Sequence, residues 1–189
     1  MTSTLSLFDD APPGPAGLGY GPELITVAEE GDLIERFSSL PLAPFDFRGF
    51  QGNRRTVAYG SRYDFTRSLV EPADPVPEWL GSLRSKAASW AGFPPNELVQ
   101  ALITEYAPGA GIGWHRDRPE YGAVLGVSFA TPCVLRLRRP AGERRWARAV
   151  LPLEPRSVYR LTGEARDLWQ HSITPGDRLR YSVTFRTLR

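Results

Sequence analysis

A single cysteine, Cys133, rules out an internal disulfide and with it the disulfide-stapled secreted scaffolds. The expected compartment is therefore the reducing cytoplasm. No apolar run approaches the roughly 18 residues a helix needs to cross a bilayer. The opening MTSTLSLFDD passes straight into acid, Pro and Gly, without the basic-then-apolar pattern of a secretory signal. Lysine is almost missing: of 23 basic residues only Lys86 is not arginine, so the positive charge is guanidinium, which forks onto phosphate or carboxylate and stacks on rings. Histidine is scarce as well, and any imidazole chemistry has only His115 and His171 to use.

What is present suffices for one folded body. The 189 residues are 41% hydrophobic and include five Trp, enough to bury a sizeable core in a single domain. A formal charge of +2 hides an asymmetry, since residues 1–46 hold eight acids and the single base Arg36, leaving the rest of the chain strongly basic. A basic, Arg-rich body makes a polyanionic partner plausible, although an ordinary solvated surface has the same composition.

The chain divides into an arm and a body. Residues 9–22, DDAPPGPAGLGYGP, are too rich in Pro and Gly for a regular element, so residues 1–22 read as a flexible arm and 23–189 as the domain. The apolar spacing from Leu24 to Leu40 predicts a helix broken or capped near Gly31-Asp32. Pro77 to Trp90 predicts a second, with Trp79, Leu80, Leu83, Ala87 and Trp90 on one stripe. From Leu98 onward short alternating runs between Gly/Pro turns are strand grammar: ALITEY, VLGVSF, CVLRLRR, ARAVLPL, SVYRLTG, RLRYSVTFRTL. Helices followed by six or more strands, without βαβ alternation, predict a mainly β jelly roll with helical cover and a core over about 98–189.

Two features carry chemistry. In Trp114-His115-Arg116-Asp117 the spacing puts His115 and Asp117 on one side of an extended chain, and His171 follows after Trp169-Gln170. Two imidazoles and a carboxylate form the facial triad of non-haem Fe(II), which leaves coordination positions open; the same set also suits catalytic zinc. The last run, Arg180-Tyr181-Ser182-Val183-Thr184-Phe185-Arg186, alternates without a slip, so Arg180, Ser182, Thr184 and Arg186 share a face. Two arginines there can grip a small dicarboxylate by bidentate pairing.

Together these residues resemble the AlkB family of Fe(II)/2-oxoglutarate dioxygenases, whose pattern is H-x-D, a distal H, then R-x-N-x-T-x-R. The likeness runs over residues 47–189 and takes in Tyr106-Ala107-Pro108-Gly109 and Gln170-His171-Ser172. It implies a double-stranded β-helix with N-terminal helices and a nucleotide-recognition lid over about 48–70. Iron would sit on His115, Asp117 and His171. Arg180 would hold the distal carboxylate of 2-oxoglutarate, Arg186 the carboxylate beside its keto group, and Tyr106 a further cosubstrate contact. Thr104 and Ser182 stand where the family has Asn, and both shorten the polar side chain. Pro119 stands where repair enzymes of the family often carry an acid, with Glu120 next to it as a possible substitute.

The implied reaction is oxidative dealkylation of N-alkylated bases in DNA or RNA, with release of the alkyl group as aldehyde. Tyr63, Phe65 and Arg55, in a segment that looks like the family's lid, are the expected substrate contacts. Two competitors are a hydroxylase of protein or small molecules with the same metal centre and a non-catalytic nucleic-acid-binding domain. Arg136, Arg138, Arg139, Arg144, Arg145 and Arg148 flank a turn at Pro140-Ala141-Gly142, either as a phosphate rail or as an ordinary exposed hairpin. Thr4-Leu5-Ser6-Leu7-Phe8 is similar to the peptide by which bacterial DNA-handling proteins dock on the sliding clamp. The body is expected to be a monomer.

Overall fold

Alternation gives every strand of this chain two unlike faces, and the fold buries each face against something different. The computed structural model describes residues 14–47, 50–64, 67 and 69–189. In chain order the elements are β1 (Leu18–Gly21), α1 (Val27–Ser38), β2 (Ala43–Phe47), β3 (Phe50–Tyr59), β4 (Ser61–Asp64), β5 (Leu69–Pro72), α2 (Gly81–Ala91), β6 (Gln100–Tyr106), β7 (Ile112–His115), β8 (Tyr121–Phe129), β9 (Cys133–Pro140), β10 (Trp146–Leu153), β11 (Val158–Leu161), α3 (Gly163–Asp167), β12 (Gln170–Ile173) and β13 (Arg180–Leu188). The strands form an antiparallel seven-stranded sheet, order β1-β11-β8-β13-β6-β3-β2, a four-stranded sheet, order β10-β9-β12-β7, and the hairpin β4-β5. This is the expected jelly roll.

Two apolar clusters define the layers. Ala101, Ile103, Val127, Phe129, Tyr181, Val183 and Phe185 of the large sheet pack with Leu33, Phe37, Leu83 and Ala87 of the two long helices. The opposite face of that sheet gives Tyr106, Val124, Tyr159 and Leu161 to a second cluster with Leu135, Leu137, Leu153 and Ile173 of the small sheet. The space between the sheets is thus lined by the residues that alternate with the helix-facing ones.

Three expectations need correction. First, α1 is not broken at Gly31-Asp32. Thr26 accepts from the Glu29 N–H, and the Glu29 carboxylate accepts from the Thr26 N–H, a capping box that starts the helix, while the Leu33/Phe37 stripe carries it past the glycine. Second, part of the arm is strand: Leu18–Gly21 pairs with Val158–Leu161 and covers the sheet edge. Glycine is used there for proximity, because a Cβ on Gly21 would lie 2.4 Å from the Trp90 indole nitrogen. Third, β3, expected in the lid, is a full member of the large sheet, which leaves β4-β5 as the separate hairpin.

Phe37 joins the layers, meeting Phe129 edge-on at 5.2 Å and Tyr181 at 5.6 Å between ring centroids. It is fully buried. Phe37→Ala is expected to lower the unfolding free energy by about 3–5 kcal/mol in a denaturant titration.

Candidate active site

The site lies between the sheets, where β7 and β12 run antiparallel with His115 directly opposite His171. The imidazole centroids are 4.2 Å apart. The loop after β7 returns Asp117 to them, so one donor atom from each of His115, Asp117 and His171 lies within 4.8 Å of the others. The Nδ1 of His115 donates to the Gly113 carbonyl at 2.9 Å, which leaves its Nε2 lone pair as the donor toward the cluster. His171 Nε2 stands 3.5 Å from Asp117 Oδ2.

Burial raises the Asp117 carboxyl, but Arg186 and the two imidazoles outweigh it and hold the group well below the usual carboxylate range. Arg186 does this at contact: Nη2 is 2.6 Å and Nε 2.7 Å from Asp117 Oδ1. Its Nη1 donates to Gln100 Oε1 at 2.7 Å, and Gln100 Nε2 donates to the Tyr121 hydroxyl and to the Ser61 carbonyl. The aspartate is thereby charged and fixed, with Oδ2 buried and without a hydrogen-bond partner. His115 and His171 are both held below their ordinary 6.5, first by burial; for His171 the adjoining His115 adds to the effect and the value falls to about 3. Two neutral imidazoles and one carboxylate are the protonation states a divalent cation needs, so no proton must leave before the ion enters.

Beside this cluster β13 presents the face predicted for it. Arg180, Ser182, Thr184 and Arg186 alternate with Tyr181, Val183 and Phe185, which turn to the helices. Ser182 stands opposite Thr104 on β6 and Ser128 on β8, and Thr104 opposite Thr56 on β3. The two short residues that depart from the family pattern therefore sit side by side in a row of four hydroxyls. Arg180 is 4% exposed, lies 4.8 Å above the Tyr106 ring and donates to Ser128 Oγ from Nε and Nη2. Its Nη1 is buried without a partner. A buried guanidinium with an unused donor calls for an anion, and Asp117 Oδ2 calls for a cation; both charges are felt at the buried Tyr159 hydroxyl, whose ionisation Asp117 disfavours and Arg180 favours. Those two orphans, both on the face of the large sheet that turns to the small one, fit a carboxylate ligand and a metal ion.

The expected substrate residues fare unevenly. Tyr63, on β4, lies under the Arg118 guanidinium at 3.9 Å, so the hairpin touches the loop that carries Asp117. Glu120 is on that loop, with Oε2 buried and unpartnered. Phe65 lies outside the described residues. Arg55 is on the wrong face: it is paired with Glu105 at 2.7 Å, on the side of Tyr181. The inner position in line with Tyr106 and Arg180 belongs to Arg54, which stacks on Phe45 at 3.8 Å. Sequence reasoning also passed over Gln100, Ser128 and Arg166. Arg166 is 4% exposed and donates to the carbonyls of Arg118, Tyr121 and Gly122, fixing the middle and the far end of the Asp117 loop. The available signal was a polar residue inside an otherwise apolar buried run, as at Gln100 and Ser128.

Two outcomes follow from this geometry. Both histidines titrate lower folded than unfolded, so the unfolded chain binds more protons below about pH 6.5 and stability falls as the pH drops through that range, by up to about 1.4 kcal/mol per pH unit for each. In the metal-free protein the melting temperature should decline from pH 7 to pH 5, and His171→Gln should flatten the decline. Arg186→Met should weaken Co(II) or Mn(II) binding about 10- to 100-fold in a calorimetric titration, by releasing Asp117.

A family model described as the 2OG-Fe(II) oxygenase superfamily matches residues 43–186. The chain is 31% identical over 140 residues to the Escherichia coli (strain K12) alpha-ketoglutarate-dependent dioxygenase AlkB, covering 62% of each protein. It is 28% identical over 167 residues to the Mus musculus tRNA (carboxymethyluridine(34)-5-O)-methyltransferase ALKBH8, covering 85% of this chain and 24% of that one. The Arabidopsis thaliana alkylated DNA repair protein ALKBH8 homolog is 27% identical, with 83% of this chain and 50% of that one covered, so this chain spans half or less of the ALKBH8-type relatives. The solved structure of OsALKBH1 shares the fold, with a TM-score of 0.66 at 16% identity, over 90% of this chain and 98% of that one. Both histidines, the aspartate and both arginines of the terminal strand fall inside the matched span, and this chain is an AlkB-like member of the 2OG-Fe(II) oxygenase superfamily.

Proposed function

We propose that the protein removes alkyl groups from base nitrogens of nucleic acid in an Fe(II)- and 2-oxoglutarate-dependent oxidation. The observation that carries this is a pair of complementary buried orphans, a carboxylate oxygen among two imidazoles and an arginine donor on the same side of the large sheet, both of which act on the buried Tyr159 hydroxyl. The likeness to AlkB and to the alkylated DNA repair relative supports nucleic acid as the substrate. So does the neighbourhood of the site, where guanidinium-covered rings, Arg118 on Tyr63 and Arg54 on Phe45, suit a flipped base and its flanking phosphates. A cytoplasmic compartment, read from the single cysteine, and a monomeric body belong to the same proposal, and the clamp-like Leu5–Phe8 peptide lies outside the described residues.

His115, Asp117 and His171 would hold the iron, and Arg180 the distal carboxylate of 2-oxoglutarate, with the hydroxyls of Tyr106 and Thr104 on its flank. The bound group supplies a two-electron oxidation by O2, coupled to decarboxylation of 2-oxoglutarate to succinate and CO2. The chain's own part is electrostatic. Arg186 keeps Asp117 ionised and aimed, and the dry interior strengthens every one of these contacts. Hydroxylation of an N-methyl carbon gives N–CH2–OH, whose C–N bond breaks to formaldehyde as the base nitrogen takes the hydroxyl proton. Glu120, with an unpartnered buried oxygen on the Asp117 loop, would favour the cationic form of an alkylated base.

Incubation with iron, ascorbate, 2-oxoglutarate and a panel of methylated DNA and RNA oligonucleotides should yield succinate and formaldehyde in step with loss of methyl by mass spectrometry. Asp117→Ala should abolish both products. Absence of coupled turnover on every methylated strand in the panel would overturn the proposal.

A further inference from the structure

The arginines around the β9-β10 turn do not act as one group. Adjacent residues on a strand point to opposite faces, and Arg139 turns toward α3, where it pairs with Glu164 and lies over Trp169. Arg136 and Arg138 face the other way, onto the outer surface of the four-stranded sheet. There Arg138 stands opposite Arg148 on β10 and Gln170 on β12, and Arg136 opposite Ser172. Trp114 of β7 and Trp146 of β10 share this surface, as their ring contacts with the same arginines show.

The face is built, and its charge is left unneutralised. The Arg138 guanidinium lies 4.3 Å from the ring centroids of both Trp114 and Trp146, and Arg136 lies 5.0 Å from Trp114. Each is steadied through Nε alone, Arg138 by Gln170 Oε1 at 2.8 Å and Arg136 by Ser172 Oγ at 3.1 Å. All these partners are neutral. Elsewhere the arginines of the surface meet acids, as in Arg55–Glu105, Arg62–Glu71, Arg156–Glu30 and Arg189–Asp167. Among the described residues no ion pair includes Arg136, Arg138 or Arg148. Three cations thus stand on one sheet face, Arg136 and Arg138 half-buried against the rings and Arg148 exposed, beside an indole, Trp146, that is 39% exposed.

We propose that this outer face is a contact surface for single-stranded nucleic acid, separate from the catalytic pocket, with phosphates on Arg136, Arg138 and Arg148 and a base stacked on Trp146. The proposal rests on the nucleic-acid reading above and deepens it. The face is on the reverse of the strands that carry the histidines: His171 points inward between Gln170 and Ser172, which point outward. A strand lying here is engaged several nucleotides away from the base that is treated, so the preferred substrate is a polymer and not a nucleotide. A single strand fits better than a duplex, because an exposed indole gains from stacking only where base faces are free. A phosphate contact accounts for the missing acids, since any carboxylate on this face would repel the ligand.

The test measures binding and turnover separately on the full-length protein. Anisotropy titrations use unmodified 20-nucleotide DNA and RNA strands at several salt concentrations. Turnover is compared on a methylated 20-mer and a methylated trinucleotide. Trp146→Ala/Arg148→Glu, at two exposed positions, should weaken binding of the 20-mer at least tenfold and raise its KM while leaving kcat/KM on the trinucleotide near wild type. Arg136→Gln/Arg138→Gln is the second variant and should lower the slope of log K against log salt by about 0.7 per lost phosphate contact, or about 1.4. Unchanged affinity and salt slope in both variants overturn the surface, whatever the turnover. Loss of 20-mer binding in a protein that demethylates nothing leaves the surface standing and sinks the proposed function instead. Equal competition by poly-glutamate also overturns the proposal, since it would mark a site for acidic protein segments.

Discussion

The ion pair between Arg186 and Asp117 is the contact on which the site depends. A carboxylate as buried as Asp117 would otherwise take up a proton or turn toward water, and either would remove a metal ligand. Two guanidinium nitrogens on one of its oxygens prevent both, and they leave the second oxygen to the imidazoles. The pair is worth little as a source of stability, because the cost of drying both ions offsets their attraction. Its value is that of a fixed charge at a fixed point. Gln100 extends the arrangement by holding the arginine and, on its other side, the Ser61 carbonyl at the base of the β4-β5 hairpin.

How far the chain could be read in advance follows from the period of its strands. The faces of the terminal strand were legible, because four polar residues alternate with three apolar ones and so both faces are determined together, but the partner of Arg186 was not: the guanidinium expected on a cosubstrate carboxylate is engaged by Asp117 and Gln100. The Arg54-Arg55 segment was not: two adjacent arginines give no parity, and the inward one proved to be Arg54, with Arg55 turned to Glu105. The turn arginines divide by the same rule. β1 was misread for a different reason. Glycine signals a turn when only composition is known, but at Gly21 it makes room for the Trp90 ring.

The triad itself was legible as a set of residue types, since a chain with two histidines has few ways to build a metal site. Its support was not. Gln100, Ser128 and Arg166 reach their partners across 86, 52 and 44 or more residues of chain, and no local spacing encodes such pairings. The Thr104 and Ser182 departures look like two separate losses in the text. In the fold they are opposite each other, with Thr56 and Ser128 continuing the row, so one short hydroxyl matches another across the strands.

The strand at Leu18–Gly21 also decides where the polypeptide before it leaves the body. It occupies one border of the seven-stranded sheet, while β2 and β3, which lead into the hairpin, occupy the other. Six strand spacings of about 4.8 Å put roughly 29 Å between those borders. The described chain therefore enters the body at the border opposite the one that leads into the hairpin, and a change at either border reaches the other only through the sheet.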